Sequence, residues 1–272
     1  METKILFLDL DGTLLNDEKK ITAGNRLALE KALSAGHRVV IATGRPLRSA
    51  IAKSEELGLT APGCFVIAYN GGVVYDVHEK KIVFEKSIDA ADACAIARLV
   101  DSHNVHVQTY DHDSVIVNPR WDDEALEHYC GMISLGKRVE PTFPEKLGHN
   151  PPKVLAVSYT DHDALEAVAA DIRSRYASEV DCFFSCRELL EVVPKGMNKG
   201  EAVRSMCARL GVPIENSVAV GDAENDLTMI RAAGVGVCMA NGSESVKAIA
   251  DYITIRDNNH DGIAEVVERF LL

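Results

Sequence analysis

Lys4-Ile5-Leu6-Phe7-Leu8-Asp9-Leu10-Asp11-Gly12-Thr13 is the stretch whose reading decides the fold. Ile5 to Leu8 is a run of four large apolar residues, too short for a stable helix and rich in β-formers. It reads as a strand buried on both faces. The run breaks at once into two carboxylates and a glycine, so Asp9 and Asp11 stand at the strand's end. In open parallel sheets, ligands bind outside the carboxyl ends of the strands. Residues two apart in an extended chain point to the same side, and two ionised carboxylates held there repel unless a cation or a shared proton intervenes. A hard, oxygen-seeking cation such as Mg²⁺ relieves that repulsion. A strand that merely runs out into an acidic turn would read the same way, so these letters need support from elsewhere in the chain.

Support comes from both directions. Thr22 is placed to cap a helix over 23–35, ended by Gly36, after a polar turn from Leu14 to Lys20 that reads as a short hairpin. His37 to Ala42 is a second apolar strand, and it too ends in polar residues, Thr43-Gly44-Arg45, with Pro46 at the first position of another helix. Thr43 offers a hydroxyl and nearby backbone N–H groups at a helix start, an anion site to which Arg45 adds charge. A loop threonine and a solvated arginine are the plainer reading. A third strand, Cys64 to Tyr69, ends at Asn70-Gly71-Gly72, where glycine permits tight turning or close approach to a ligand. Far downstream, Ser217 to Val220 is a strand running into Gly221-Asp222-Ala223-Glu224-Asn225-Asp226, the second such strand to end in clustered acids. Asn198 can cap a helix whose first turn holds Lys199, and a cation disfavoured by the helix dipole points to an anion close by. Helix-capping acids and an exposed lysine would account for both features without a site.

Strands alternating with helices predict an α/β protein, a doubly wound, Rossmann-like parallel sheet. Near Phe84 the rhythm changes. Helices are expected over 89–103, 122–130 and 164–176, strands over 105–110, 115–117, 153–159, 181–185 and 189–193, and a Pro/Gly-rich loop over 136–152. That block reads as an α+β module inserted into the sheet domain, giving a core of 1–83 and 194–272 and an insertion of 84–193. Asp111-His112-Asp113 and Asp161-His162-Asp163 resemble metal clusters, but each falls where a turn or helix start is expected. Trp121 reads as stacking on a sugar or as anchoring the helix that follows, packing being the plainer reading, and Arg187 with Glu188 lies in a hairpin turn.

Composition narrows the function. The net charge of −12, with no basic run to offset it, argues against nucleic acid or an anionic membrane as partner. No stretch approaches a membrane span, and the chain enters its first strand without a signal-peptide pattern, so a cytoplasmic protein is expected. The seven cysteines are odd in number and show no Cys-x-x-Cys spacing, so they are expected to be reduced and buried.

With these residues in view, the sequence resembles the haloacid dehalogenase superfamily of aspartate-nucleophile phosphatases, closest to its Cof-like sugar-phosphate phosphatase branch. Four motifs match in order: Asp9-Leu10-Asp11-Gly12-Thr13, Thr43-Gly44-Arg45, Lys199, and Gly221 to Asp226. The resemblance spans the chain, because that branch carries its α/β cap between the second and third motifs. It implies an aspartyl-phosphate mechanism on small phosphorylated metabolites, with Asp9 as nucleophile and Asp11 as general acid and base. It further implies Mg²⁺ held by Asp9, Asp11 (through its carbonyl) and Asp222, with Asp226 close by. Thr43, Gly44 and Lys199 would hold the phosphoryl group, Asn225 would act beside the metal, and Asn225 and Arg45 are carried as further substrate-binding candidates. Arg187 and Glu188 are the cap's candidates for contact with the leaving group. A phosphomutase or other phosphotransferase using the same aspartate, or a non-catalytic phosphoacceptor, are the alternatives.

Overall fold

The computed structural model of the chain describes residues 2–272. The elements run β1 (Ile5–Leu8), α1 (Ala23–Ser34), β2 (Arg38–Ala42), α2 (Leu47–Glu56), β3 (Cys64–Ala68), β4 (Val73–Asp76), β5 (Lys81–Glu85), α3 (Ala90–Ser102), β6 (His106–Tyr110), β7 (Ser114–Val117), α4 (Glu124–Ile133) and β8 (Gly136–Val139). They continue with β9 (Val154–Val157), α5 (His162–Arg175), β10 (Val180–Cys186), β11 (Leu189–Pro194), α6 (Lys199–Leu210), β12 (Ser217–Gly221), α7 (Leu227–Ala232), β13 (Val235–Cys238), α8 (Glu244–Lys247), β14 (Tyr252–Ile253) and α9 (Gly262–Phe270). The chain forms two units. One comprises the segment ending at Thr43 together with Ala50–Val83 and Asn198–Leu272; the other comprises Gly44–Ser49 and Phe84–Met197.

The first unit is built on a sheet ordered β14-β13-β12-β1-β2-β3-β4-β5. β1 is fully buried and pairs in parallel with β2 on one side and β12 on the other, so Leu8 lies beside both Ile41 and Val220. The chain turns outward from β1 in opposite directions, to β2 and β3 early in the sequence and to β12 and β13 late. Such a reversal opens a crevice at the strands' carboxyl ends. This is why Asp9, Thr43 and Asp222, far apart in sequence, emerge at one edge. The sheet is mixed rather than wholly parallel, because β4 returns antiparallel to β3. Helix ends follow their caps: the Thr22 hydroxyl accepts from Asn25 N–H, Asn198 Oδ1 accepts from Glu201 N–H, and Gly211 closes α6 in the left-handed region.

The second unit is a sheet ordered β10-β11-β9-β6-β7-β8. Its strands pair antiparallel except β7 and β8, which run parallel. One sheet face, with Val107, Ile116, Val154, Ala156, Leu190 and Val192, packs with α3 and α5 into a single apolar cluster. Alternation puts polar residues at the intervening positions, where Lys153 Nζ lies 2.7 Å from Glu191 Oε2 and Tyr110 Oη donates to Tyr129 Oη at 2.7 Å.

Several expectations change. β8 falls where a loop was expected; Gly136-Lys137-Arg138-Val139 is exposed throughout and carries no apolar alternation to reveal a strand. α4 starts at Glu124, because Asp123 rather than an earlier residue caps it. Leu14 to Lys20 is a closed turn, held by Asn16 N–H to Lys20 O at 2.9 Å, not a hairpin ladder. All seven cysteines are free, but Cys186 is exposed at the end of β10 and Cys182 is only half-buried. The two Asp-His-Asp triplets are backbone devices: Asp111 Oδ1 accepts from Asp113 and Ser114 N–H, and Asp161 Oδ1 accepts from Ala164 N–H to cap α5. Trp121 packs as expected, its Nε1 donating to Asp101 and its ring against His106. Among the described residues, no helix is long and apolar enough to cross a membrane.

Candidate active site

β1 delivers Asp9 into the crevice with its N–H bonded to Val220 O at 3.0 Å, so the first acid is fixed by the sheet itself. Lys199, the first residue of α6, is completely buried and donates to Asp9 Oδ1 and to Asp226 Oδ1, each at 2.6 Å. The anions inferred near Lys199 are these two carboxylates. Asp226 is itself fully buried, and its Oδ2 accepts from the N–H groups of Asp222 and Ala223 at 3.0 and 3.1 Å. It thereby joins the loop after β12 to α6. Asp222 Oδ1 accepts from the Thr13 hydroxyl at 2.7 Å, which ties that loop to the β1 motif.

One oxygen from each of Asp9, Asp222 and Asp226 lies within 4.8 Å of the others. Three carboxylates thus share one ammonium, and the local charge is net negative. Burial is the largest influence on Asp9 and pushes it up to about 8; Lys199 opposes this, while Asp226 and Asp222 reinforce it. Asp222 is raised to about 6, again chiefly by burial, with the Thr13 hydrogen bond opposing. Burial would lower Lys199, but Asp226 and Asp9 outweigh it and hold the ammonium charged. A set of hard oxygen donors short of positive charge fits a divalent cation. Asp226 already uses both oxygens to hold Lys199 and the loop, whereas the hydrogen bonds of Asp9 and Asp222 fall on their Oδ1 atoms. Gly12 is required by geometry: its φ is +83°, and a Cβ there would sit 2.5 Å from Asp222 Oδ2.

Asp11 stands apart from the triad. It is half-buried and its Oδ1 accepts from Lys19 Nζ at 2.9 Å. Thr43 is buried, its N–H donating to Ile67 O at 2.9 Å. Asn225 is half-buried in the short 3₁₀ turn between Glu224 and Asp226. Gly44 and Arg45 fall in the second unit, where Gly44 O accepts from Lys153 Nζ at 3.4 Å. Arg187 also belongs there, exposed in the β10–β11 turn, its carbonyl 2.7 Å from His162 Nδ1.

The family model for haloacid dehalogenase-like hydrolases matches residues 6–267, and so takes in every element that builds this cluster. The chain belongs to the haloacid dehalogenase-like hydrolases. It is 31% identical over 272 residues to a 5-amino-6-(5-phospho-D-ribitylamino)uracil phosphatase of Bacillus subtilis, covering 100% of this chain and 97% of that protein. It is 29% identical over 285 residues to the pyridoxal phosphate phosphatase of Escherichia coli, covering 100% of both. The crystal structure of a haloacid dehalogenase-like hydrolase from Bacteroides thetaiotaomicron is similar with a TM-score of 0.89 and 31% identity, over 98% of this chain and 99% of that one.

Some contacts of this hydrolase had no signal in its sequence. Thr13 stood in the quoted motif, but nothing there assigned it to Asp222. Lys19 reaches Asp11 only because the turn folds back with Lys19 at φ +60°. Asn241 Nδ2 donates to Gly12 O at 2.8 Å and Asn258 Nδ2 to Leu15 O at 3.0 Å, so the C-terminal segment braces the loop carrying Asp11. Asparagines in polar loops are too common for such partners to be read in advance.

Proposed function

We propose that this hydrolase cleaves phosphate monoesters of small metabolites through an aspartyl phosphate on Asp9. The observation that carries the reading is Lys199, buried between Asp9 and Asp226 with Asp222 in the same cluster. Asp9 attacks phosphorus in line with the leaving oxygen; the new P–O bond forms on its carboxylate as the ester P–O bond breaks. Asp11 gives a proton to the departing alkoxide, then takes one from the water that cleaves the aspartyl phosphate, restoring Asp9 and releasing inorganic phosphate. General catalysis of this kind contributes roughly 10²–10⁴ in rate. The Lys19 contact must give way before Asp11 can deliver its proton.

A divalent cation, which we take to be Mg²⁺, would be held by Asp9, Asp222 and the Asp11 carbonyl, with Asp226 alongside, and would supply the positive charge this acidic cluster and a phosphoryl group both need. Lys199, Thr43, Gly44, Arg45 and Asn225 are assigned to the phosphoryl oxygens; phosphoryl transfer depends mainly on such positioning and charge. Substrate choice is assigned to the inserted region 84–193, with Arg187 as the leaving-group contact. Two relatives matched over at least 97% of their length are named for phosphorylated metabolites, a ribityl-uracil and pyridoxal, which supports a small organic phosphate here. Neither nucleic acid nor a membrane is proposed as partner, and a cytoplasmic setting suits the free thiols. Phosphate release over a panel of sugar, vitamin and nucleotide monophosphates, with and without Mg²⁺, tests the reading. Turnover of at least one ester, lost on chelation, is expected; no release from any ester in either condition would refute it.

A further inference from the structure

Asn70 is 2% exposed, yet neither its Nδ2 nor its Oδ1 has a hydrogen-bond partner within the protein. Buried polar side chains are nearly always paired, and leaving one unpaired is costly. Thr13, Lys153, Glu191, Lys199 and Asp226, also buried, are each bonded. Asn70 is therefore held for something other than packing. Its backbone is anchored at the crevice: Asn70 N–H donates to Thr43 O at 3.1 Å, and the short turn Tyr69–Gly71 packs against α6, whose first residue is Lys199. It lies just past the carboxyl end of β3, whose neighbour β2 leads into Thr43. Its φ of 56° is one that asparagine tolerates better than most residues, so the backbone alone would explain an asparagine but not a carboxamide without partners.

We propose that Asn70 is a further phosphoryl-binding residue, its Nδ2 donating to a phosphoryl oxygen of the substrate beside the oxygens assigned to Thr43 and Lys199. The assignment rests on the phosphatase reading and adds a neutral donor to it. Unlike another cation, an amide adds a donor without adding a charge to the ion-paired cluster of carboxylates and lysine.

Glycine adopts the left-handed conformation freely, so Asn70→Gly removes the carboxamide while preserving the turn. Asn70→Asp keeps the shape but turns the donor into an acceptor. The experiment measures turnover of p-nitrophenyl phosphate and its inhibition by inorganic phosphate in wild type and both variants, with thermal melting to confirm folding. The inhibition constant for phosphate is expected to rise by about tenfold or more in Asn70→Gly, the scale of a lost hydrogen bond to a charged oxygen, and further in Asn70→Asp. Inhibition constants within about twofold of wild type in a folded variant would overturn the assignment, since such a change is far below one lost bond. Independently of any variant, phosphate added to wild-type protein with ¹⁵N-labelled asparagine should shift a buried side-chain amide. No shifted amide at saturation contradicts the proposal. A wild-type protein that hydrolyses no ester would fail the phosphatase reading instead, which separates the two failures.

Discussion

Lys199 Nζ is 2.6 Å from Asp9 Oδ1, and the two residues are 190 positions apart in the chain. The same ammonium reaches Asp226 Oδ1 at the same distance, so it joins α6, β1 and the loop after β12. Lys199→Met would leave these buried carboxylates without their counter-charge. Removing one partner of a buried ion pair costs about 3–5 kcal/mol. Urea unfolding should show a loss of that size, partly restored by millimolar Mg²⁺, and no measurable turnover.

Asp9→Asn keeps the shape of the side chain and removes one charge from an overcrowded cluster. Turnover should fall below detection while the melting temperature stays within a few degrees of wild type, since Lys199 retains Asp226. Phosphate release by a verified, folded variant at more than about a hundredth of the wild-type rate would remove Asp9 as nucleophile, because losing covalent catalysis costs far more than losing one general acid.

Thr13→Val deletes the hydroxyl that fixes Asp222 Oδ1 while conserving volume. Groups that orient metal ligands typically account for 10–100-fold in metal affinity or activity. The Mg²⁺ concentration for half-maximal activity should rise by about tenfold, with maximal rate changed less. An unaltered Mg²⁺ requirement would show that Asp222 needs no such support.

Asp9 and Asp222 are raised by burial to about 8 and about 6. With both raised, the folded protein retains protons that the unfolded chain has lost, so these groups reduce stability as pH climbs from about 4 to about 8. A bound divalent cation cancels that penalty. The rise in melting temperature on adding Mg²⁺ should therefore be larger at about pH 8 than at about pH 5. Equal shifts at both would separate these carboxylates from metal binding.

How much of this was legible follows from residue type. Ile5 to Leu8 breaking into Asp9 and Asp11, and Ser217 to Val220 breaking into Asp222, are abrupt changes of polarity at strand ends, visible without coordinates. Their adjacency follows from β1 lying between β2 and β12, a strand order that strand-and-helix alternation allows but does not specify. Lys199 was visible because a cation at a helix start contradicts the dipole. Thr13, Lys19, Asn241 and Asn258 were not, since each acts through one contact set by loop geometry. β8 was invisible because Gly136 to Val139, exposed at a sheet edge, has no buried face to impose alternation. Arg187 in its exposed turn carries least information, as the solvent would accept almost any residue there.

The most direct test of the account is to find the phosphoryl group on the protein. Acid quench of Asp11→Asn during turnover of a substrate with a good leaving group, followed by peptide mass spectrometry, should show one added phosphoryl group on Asp9, accumulating because its hydrolysis is slowed. Its appearance on another side chain, or its absence while phosphate is still released, would contradict the assignment of Asp9 as the nucleophile.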